Sequence, residues 1–298
     1  MIRTLLLAGA VLAGPPLAAL GAPRVVTDLP PVGGLVAMVM QGIGTPEVLL
    51  TSGGDGHHHQ LRPSQARAVA GADLLIWMGP QMTPWLDAAA GSLAPGQGLA
   101  LLALPGTHLH DADAQGHGAD HDHGHDGIDP HAWLDPENAQ HWLDAIAEAL
   151  TTQDPENAAT YRANAAEGRT AINAAAAEAR TLLHGHEARF VVAHDALTYF
   201  TEAMGLPQAL ALAGLGDNAP SAGTVQRLRR EIAEAGATCM HPEAGADPRG
   251  FASLDGLGLQ WGAPLDLTGI TLGAVGPETY PALLIGLARA IADCPTVD

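Results

Sequence analysis

The chain has 298 residues, about two domains' worth, and 47% of them are hydrophobic, which is ordinary for a soluble globular protein. It carries 32 acidic residues against 13 basic ones, for a formal net charge of −19, and every basic residue is arginine. The absence of lysine excludes a Walker A phosphate loop, a Schiff-base nucleophile and a lysine general base. The negative charge disfavours binding to nucleic acids and anionic lipids, and it attracts small cations.

Residues 1–22 have the pattern of a secretory signal peptide: one arginine, a short apolar stretch, and small residues near its end. The apolar stretch is too short for a membrane span, and no cysteine follows it that could carry the lipid of a lipoprotein. We therefore expect a soluble exported protein with no direct membrane insertion. In an oxidising compartment Cys239 and Cys294 are expected to form a disulfide, and two buried free thiols are the alternative.

The first half of the mature chain alternates short apolar runs with helical stretches, which is typical of an α/β fold. It should form an N-terminal lobe over residues 23–152, with a small, mostly parallel sheet flanked by helices. Its predicted strands are Arg24–Thr27, Glu47–Leu50, Asp73–Met78 and Leu99–Leu104.

The segment 107–127 fits neither element, because it is rich in histidine and aspartate and has almost no apolar side chains. Such a segment buries too little surface to offset the entropy of ordering, so we predict a loop. Histidine-rich segments of this kind are typical of metal binding. Its candidate secondary ligands are His108, His110, His117, His121, His123 and His125.

Two aspartate-proline-glutamate sequences begin the predicted helices in the middle of the chain. Asp135-Pro136-Glu137 opens a helix that runs to about Leu150, and Asp154-Pro155-Glu156 opens a longer helix that ends at His184-Gly185. This second helix, over residues 153–185, would be roughly 45 Å long and would join the two lobes as a stiff connector.

The remaining residues, 186–298, should form a C-terminal lobe with the same α/β composition. Its predicted strands are Arg189–Ala193, Ala209–Leu212, Ala237–His241 and Pro264–Leu267.

Three histidines are expected at the carboxyl ends of strands, two of them before the long helix and one after it: His57, His131 and His194. Ligands gather beyond the carboxyl ends of the strands in open α/β sheets, so we expect a metal ion between the lobes. Asp266, at the end of the last predicted strand, is the best-placed fourth ligand. Three imidazoles and one carboxylate suit zinc; manganese would prefer more oxygen, and copper would bind at least as well.

These residues lie in segments that resemble the metal-binding receptors of bacterial ABC importers, and the resemblance extends along nearly the whole mature chain. Residues 57–64 (HHHQLRPS) are similar to the family's H-x-x-x-L-x-P-S segment, and the offset to LRPS selects His57 over His58 and His59. Residues 130–136 (PHAWLDP) and 192–196 (VAHDA) resemble its second and third ligand segments. Residues 265–269 (LDLTG) resemble its D-P-L-G segment, with leucine in place of the proline. The pattern is that of the ZnuA-like zinc proteins.

The resemblance implies two α/β lobes joined by a long rigid helix, with Zn²⁺ in the cleft and a disulfide between Cys239 and Cys294. It implies a periplasmic receptor, expected to be monomeric and not an enzyme, that delivers Zn²⁺ to the membrane permease of an ABC importer. His194 stands where manganese-binding relatives carry glutamate, which favours zinc. His241 stands where relatives usually have an aromatic residue, and we interpret it as a packed strand histidine, with a position near the cleft as the alternative.

Three other functions remain open at this point. The chain could be a receptor of the same family for manganese or another divalent metal, or a periplasmic metal buffer without a transporter. It could also be a secreted zinc hydrolase, since three histidines and a water form a catalytic set. Against the hydrolase, H-E-x-x-H and G-x-S-x-G motifs are absent from the sequence.

Overall fold

The computed structural model describes residues 21–51, 56–111, 127–187, 189–214 and 220–294. Two segments lie outside the described residues: residues 1–20 of the predicted signal peptide and residues 112–126 of the histidine-rich segment. Within the described residues, no helix is both long enough and apolar enough to cross a bilayer.

The first half contains a four-stranded parallel sheet in the order β2-β1-β3-β4. The strands are short and apolar, and the two central ones are buried throughout, as expected for a sheet covered on both faces. The elements are β1 (Val25–Thr27), α1 (Pro30–Val39), β2 (Glu47–Val48), α2 (Pro63–Ala70), β3 (Leu74–Trp77), α3 (Asp87–Ala90) and β4 (Gly98–Ala100).

The second half repeats this arrangement with a parallel sheet in the order β6-β5-β7-β8. Its elements are β5 (Phe190–His194), α6 (Thr198–Met204), β6 (Leu210–Ala213), α7 (Ala222–Ala235), β7 (Cys239–His241), β8 (Gln260–Trp261) and α8 (Thr279–Ala292). The expected disulfide is present: it joins Cys239 in β7 to Cys294 just beyond α8.

Two helices follow in the chain: α4 (Pro136–Gln153) belongs to the first half, and α5 (Ala158–Leu182) connects the halves. Asp135 caps α4 by accepting a hydrogen bond from the Glu137 amide at 2.7 Å, as the aspartate-proline-glutamate sequence predicts. A 3₁₀ turn at Pro155–Asn157 precedes α5, whose 25 residues span about 37 Å.

The connecting helix α5 packs against helices of both halves of the chain. It contacts α1 and α4 from the first half and α8 from the second half. Its buried side is made of small and apolar residues: Tyr161, Ala165, Gly168, Ile172, Ala175, Ala176 and Ala179. Residues of both halves therefore share one continuous hydrophobic core.

The sheets differ most from the predicted strands in two places. The last strand is Gln260–Trp261, whereas the predicted strand Pro264–Leu267 contributes only an isolated bridge between Leu265 and Glu243. The reason is that proline lacks an amide donor, so the ladder with β7 cannot continue through Pro264. The predicted strand Leu99–Leu104 ends at Ala100 and turns into a 3₁₀ helix.

Each sheet has a crevice where its two central strands end, because the chain leaves those strands toward opposite edges. In the first sheet this place holds Asp28, which is fully buried. Its carboxylate accepts hydrogen bonds from the Met78 amide at 2.8 Å and the Thr83 hydroxyl at 3.0 Å. Burial raises the pKa of Asp28 to about 6.

Candidate metal centre

The three candidate histidines lie on different elements and are all buried. His57 is in the connection between β2 and α2, and His131 immediately precedes the 3₁₀ turn Ala132–Leu134 that leads into α4. His194 is the last residue of β5, whereas the predicted strand Arg189–Ala193 made it the first residue after the strand. Their exposed fractions are only 8%, 1% and 5%, so three imidazoles from both halves are withdrawn from solvent together.

The three imidazoles meet around His131. Its Nε2 atom lies 3.5 Å from Nε2 of His57 and 3.3 Å from Nε2 of His194. Both distances exceed the usual range for a hydrogen bond to nitrogen. A tetrahedral zinc ion with Zn–N distances of about 2.0–2.1 Å holds its nitrogens about 3.3–3.4 Å apart. The distances from His131 to each of its two neighbours therefore fit pairs of ligands that share an ion.

Carboxylates orient two of these rings. Asp129 Oδ1 lies 2.7 Å from Nδ1 of His131, and Glu243 Oε1 contacts Nδ1 of His194. A carboxylate can only accept at this contact, which assigns the proton of each neutral ring to Nδ1 and leaves the lone pair on Nε2. Both lone pairs then point toward the same place, an arrangement that a cation stabilises and that is common around protein-bound metals.

Asp129 is held in a buried position by its own backbone contacts. The His131 amide donates to its carboxylate at 2.9 Å, and the Tyr199 hydroxyl donates to its carbonyl oxygen at 2.9 Å. Burial raises the pKa of Asp129 to about 7, and repulsion from Asp195 acts in the same direction.

The second crevice also explains the contact between His194 and Glu243. His194 ends β5, and Glu243 follows the neighbouring central strand β7 by two residues. The pair therefore occupies, in the second sheet, the place that Asp28 occupies in the first. The three histidines His57, His131 and His194, named the trio here, line a cleft of about 260 Å³, whose wall also includes residues 243–246, 265–268 and 270.

Asp266 lies in this wall of the cleft, but in a loop and not at the end of a strand. Its carboxylate accepts hydrogen bonds from its own loop: from the Ile270 amide at 3.0 Å, and from the amide and hydroxyl of Thr271 at 2.8 and 2.5 Å. The structure thus brings the three histidines together and places Asp266 beside them in the same cleft, with its oxygens engaged by the protein.

The other histidines near the motif segments point elsewhere. His58 is exposed, and His59 lies 3.1 Å from the side chain of Gln65 in α2. His241 is fully buried in β7, with Nδ1 2.9 Å from the Ala263 carbonyl oxygen and its ring against Phe190, as expected for a packed strand histidine. His108 and His110 are described; the remaining loop candidates, His117, His121, His123 and His125, lie outside the described residues.

The sequence interpretation assigned no role to the two orienting carboxylates. Asp129 could have been found from its spacing, because an acid two residues before a ligating histidine can reach the back of the ring. Glu243 carries a weaker signal: it follows a strand that becomes the neighbour of β5 only through the order of the second sheet. Local sequence does not contain that neighbourhood.

The family model of ZnuA, described as "Zinc-uptake complex component A periplasmic", matches residues 25–294. The High-affinity zinc uptake system protein ZnuA of Paracoccus denitrificans (strain Pd 1222) is 47% identical, with 93% of both chains covered. The protein of the same name from Brucella abortus (strain 2308) is 32% identical, with 98% of both chains covered.

The fold is also that of a solved structure, the periplasmic zinc binding protein TroA from Treponema pallidum. The TM-score is 0.78 at 19% identity, and the match covers 92% of this chain and 99% of that chain. The expected fold class, two parallel α/β units with a long helix between them, is confirmed. The expected family is confirmed as well: the chain belongs to the ZnuA family.

Proposed function

We propose that this protein is a periplasmic receptor that binds one Zn²⁺ with His57, His131 and His194 and delivers it to the membrane permease of an ABC importer. The observation that carries the proposal is the meeting of the three Nε2 atoms, at 3.5 and 3.3 Å from His131 to its two neighbours. Membership of a periplasmic zinc-uptake family supports the location and the partner.

Zinc is the cargo that the donor set favours. Neutral imidazole nitrogens suit zinc, whereas manganese is better served by carboxylate and water oxygens. Carboxylates behind His131 and His194 strengthen this preference, because they raise the basicity of the ring nitrogens that face the ion.

We propose that Asp266 becomes the fourth ligand when its loop, residues 265–271, rearranges and frees its carboxylate. Its carboxylate lines the same cleft as the trio and is presently bonded to Ile270 and Thr271. Exchanging these contacts for a metal bond would couple cargo binding to the loop 265–271, which belongs to the second half of the chain. Release would follow the reverse exchange.

Coordination and release, without catalysis, is the chemistry that we propose for the site. A hydrolase needs a general base next to a metal-bound water. The two carboxylates that line the cleft are Glu243, which accepts from Nδ1 of His194, and Asp266, which accepts from its own loop. Both carboxylates already hold protein groups in place, which supports binding and release over catalysis.

A competition titration with a zinc chelator tests the assignment of the tight site. His194→Ala should weaken zinc binding by more than the roughly 10–100-fold that is typical of losing an orienting residue, because it removes a ligand. Replacing residues 112–126 by two glycines should leave the tight site within a few-fold of wild type. The assignment fails if the replacement abolishes tight binding while His194→Ala leaves it intact.

The same titration tests the fourth ligand separately. Asp266→Ala should weaken zinc binding by about tenfold or more. The control is Thr271→Val, which removes one partner of the same carboxylate but no candidate ligand. Equal affinities of Asp266→Ala and wild type would exclude Asp266 and leave water as the fourth ligand.

A further inference from the structure

Another cluster of metal-ligating side chains lies around the disulfide, outside the trio. One ring nitrogen of His241 and the sulfurs of Cys239 and Cys294 lie within 4.8 Å of one another, and all three residues are buried. Cys239 and His241 are alternate residues of β7, so their side chains lie on the same face of the second sheet. Cys294 approaches them from the end of α8. The fold therefore brings two sulfurs and an imidazole together.

His241 is held in the way that a metal ligand is held. Its Nδ1 lies 2.9 Å from the Ala263 carbonyl oxygen, which can only accept, so the ring proton is on Nδ1 and the lone pair is on Nε2. Among the described residues, this buried Nε2 atom has no hydrogen-bond partner. Burial also lowers the pKa of His241, which keeps the imidazole neutral and able to bind a cation at neutral pH.

Packing keeps the His241 ring in place beside the sulfurs. One side of the ring meets Phe190 edge-to-face, with the two centroids 5.5 Å apart. On another side lies Gly262, where a Cβ atom would overlap the imidazole. A ring that is fixed by its neighbours loses little freedom when it binds an ion, which favours binding.

The two sulfurs become ligands only in the dithiol form, because a metal-binding sulfur is a thiolate. Tetrahedral zinc, with Zn–S distances of about 2.3 Å, holds two sulfurs about 3.8 Å apart. The Cα atoms of the two cysteines are 5.9 Å apart, so side-chain rotation is enough to open this space. The Thr238 hydroxyl lies 3.8 Å from the Cys294 sulfur and can donate to a thiolate there.

We propose that the dithiol form of this protein, through which the chain passes before its disulfide closes, binds one zinc-type divalent cation with the thiolates of Cys239 and Cys294 and Nε2 of His241. Each thiol releases one proton as its sulfur binds the cation, and no electron is transferred. Water fills the fourth position of the ion.

The bound cation and the disulfide exclude each other. Closure requires the cation to leave, after which one thiolate attacks the disulfide of a small oxidant and the second thiolate displaces the mixed disulfide. The S–S bond of the protein forms, and the two electrons leave with the two thiolates of the cleaved oxidant. Zinc availability therefore controls how fast the disulfide closes.

Co²⁺ titration of the reduced mature chain tests the proposal, after one equivalent of Zn²⁺ has filled the tight site. The chain is refolded from urea with a phosphine reductant, and alkylation followed by mass spectrometry confirms two thiols. A thiolate-to-cobalt charge-transfer absorption should appear in the near ultraviolet and saturate at one further equivalent of Co²⁺. The oxidised protein, identical in sequence, is the matched control and should lack this absorption.

His241→Phe distinguishes the three-ligand site from binding by two cysteines alone. Phenylalanine keeps an aromatic ring against Phe190 but has no nitrogen, so the affinity of the dithiol site for Co²⁺ should fall by at least about tenfold. The affinity of the trio for Zn²⁺ should not change, because His241 is not one of its ligands.

The rate of disulfide closure by oxidised glutathione is an independent readout. Free Zn²⁺ at about ten times the dissociation constant of the dithiol site should slow closure about tenfold in the wild type, because only the free dithiol is oxidised. The same Zn²⁺ concentration should slow His241→Phe less. A reduced chain without the charge-transfer absorption, equal Co²⁺ affinities in wild type and His241→Phe, or closure at the same rate with and without Zn²⁺ would overturn the proposal.

Discussion

Carboxylate–imidazole pairs determine which nitrogen each of two candidate ligands presents to the cleft. Asp129 reaches His131 from two positions away, whereas Glu243 reaches His194 from a neighbouring strand. An imidazole has two nitrogens and either can carry the proton, so the position of the ring alone does not define a donor. The carboxylate behind each ring defines which nitrogen is the donor.

Glu243→Gln tests the importance of the longer-range pair. Glutamine retains the size of the side chain but lacks the negative charge that makes the His194 ring more basic, so zinc affinity should fall about tenfold. Chelator competition at neutral pH measures the change. Asp247→Asn, an exposed acid close by that pairs with Arg249, is the matched control and should bind like wild type. Identical affinities in all three proteins would contradict the role of Glu243.

His241 should make the protein less stable in mild acid. Its burial lowers its pKa, and the proximity of His186 contributes in the same direction. Below its ordinary pKa of about 6.5 the unfolded chain therefore binds a proton that the native state does not, and the free energy of unfolding falls by up to about 1.4 kcal/mol per pH unit.

His241→Phe removes this proton and suits the contact with Phe190. Urea unfolding between pH 7 and 5.5 should accordingly show a shallower loss of stability in the variant than in wild type. The slope is the readout, because losing the bond to the Ala263 carbonyl affects all pH values alike. A variant with the wild-type slope would contradict the buried neutral state.

Among the helices, α5 illustrates how packing outweighs intrinsic propensity. Glycine costs about 1 kcal/mol relative to alanine inside a helix. At Gly168, however, a Cβ atom would lie 2.9 Å from Cδ1 of Leu143 and 3.3 Å from Sδ of Met38, both in the core. Glycine is therefore the residue that lets α4 and α1 approach α5.

Gly168→Val should destabilise the protein by about 2 kcal/mol through overpacking, although valine is the better helix former. The control is Ala166→Val on the exposed side of the same helix, which should cost less than about 1 kcal/mol. Chemical denaturation followed by circular dichroism compares the two. A stabilised Gly168→Val variant would indicate that α5 is not tightly packed.

The molecule as a whole joins two sheets of the same strand order through a common helical layer and through bonds near the trio. Trp133, two residues after His131, donates its indole N–H to the Leu267 carbonyl oxygen at 2.9 Å, next to Asp266. The Tyr280 hydroxyl of α8 donates to the carbonyl oxygen of Trp133 at 2.7 Å. The segment carrying His131 is thus fixed to the second half, which aligns ligands from both halves.

The disulfide should stabilise this assembly, because it anchors the end of α8, the helix that packs on α1 and α5. Its partners are 55 positions apart, and closing such a loop contributes about 2–4 kcal/mol. The double variant Cys239→Ala/Cys294→Ala should lose that amount in thermal or urea unfolding and keep its zinc affinity, since neither sulfur belongs to the trio. Unchanged stability would contradict the structural role.

Much of this protein could be predicted from its sequence because the signals are local. Alternating apolar runs indicated the α/β class, and aspartate-proline-glutamate sequences located the start of α4 and, within one turn, that of the connecting helix. Each of these signals depends on residues a few positions apart, whose geometry is largely set by the covalent chain.

The remaining features depend on neighbours that are distant in sequence. Pairing of Glu243 with His194 follows from the order of the second sheet, the contact of Gly168 with Leu143 follows from helix packing, and Glu202 approaches His110 only when the two halves assemble. Asp266 was expected at a strand end and lies in a loop, because pairing with β7 stops at Pro264. Such contacts form between surfaces, and no local pattern in the chain specifies which surfaces will meet.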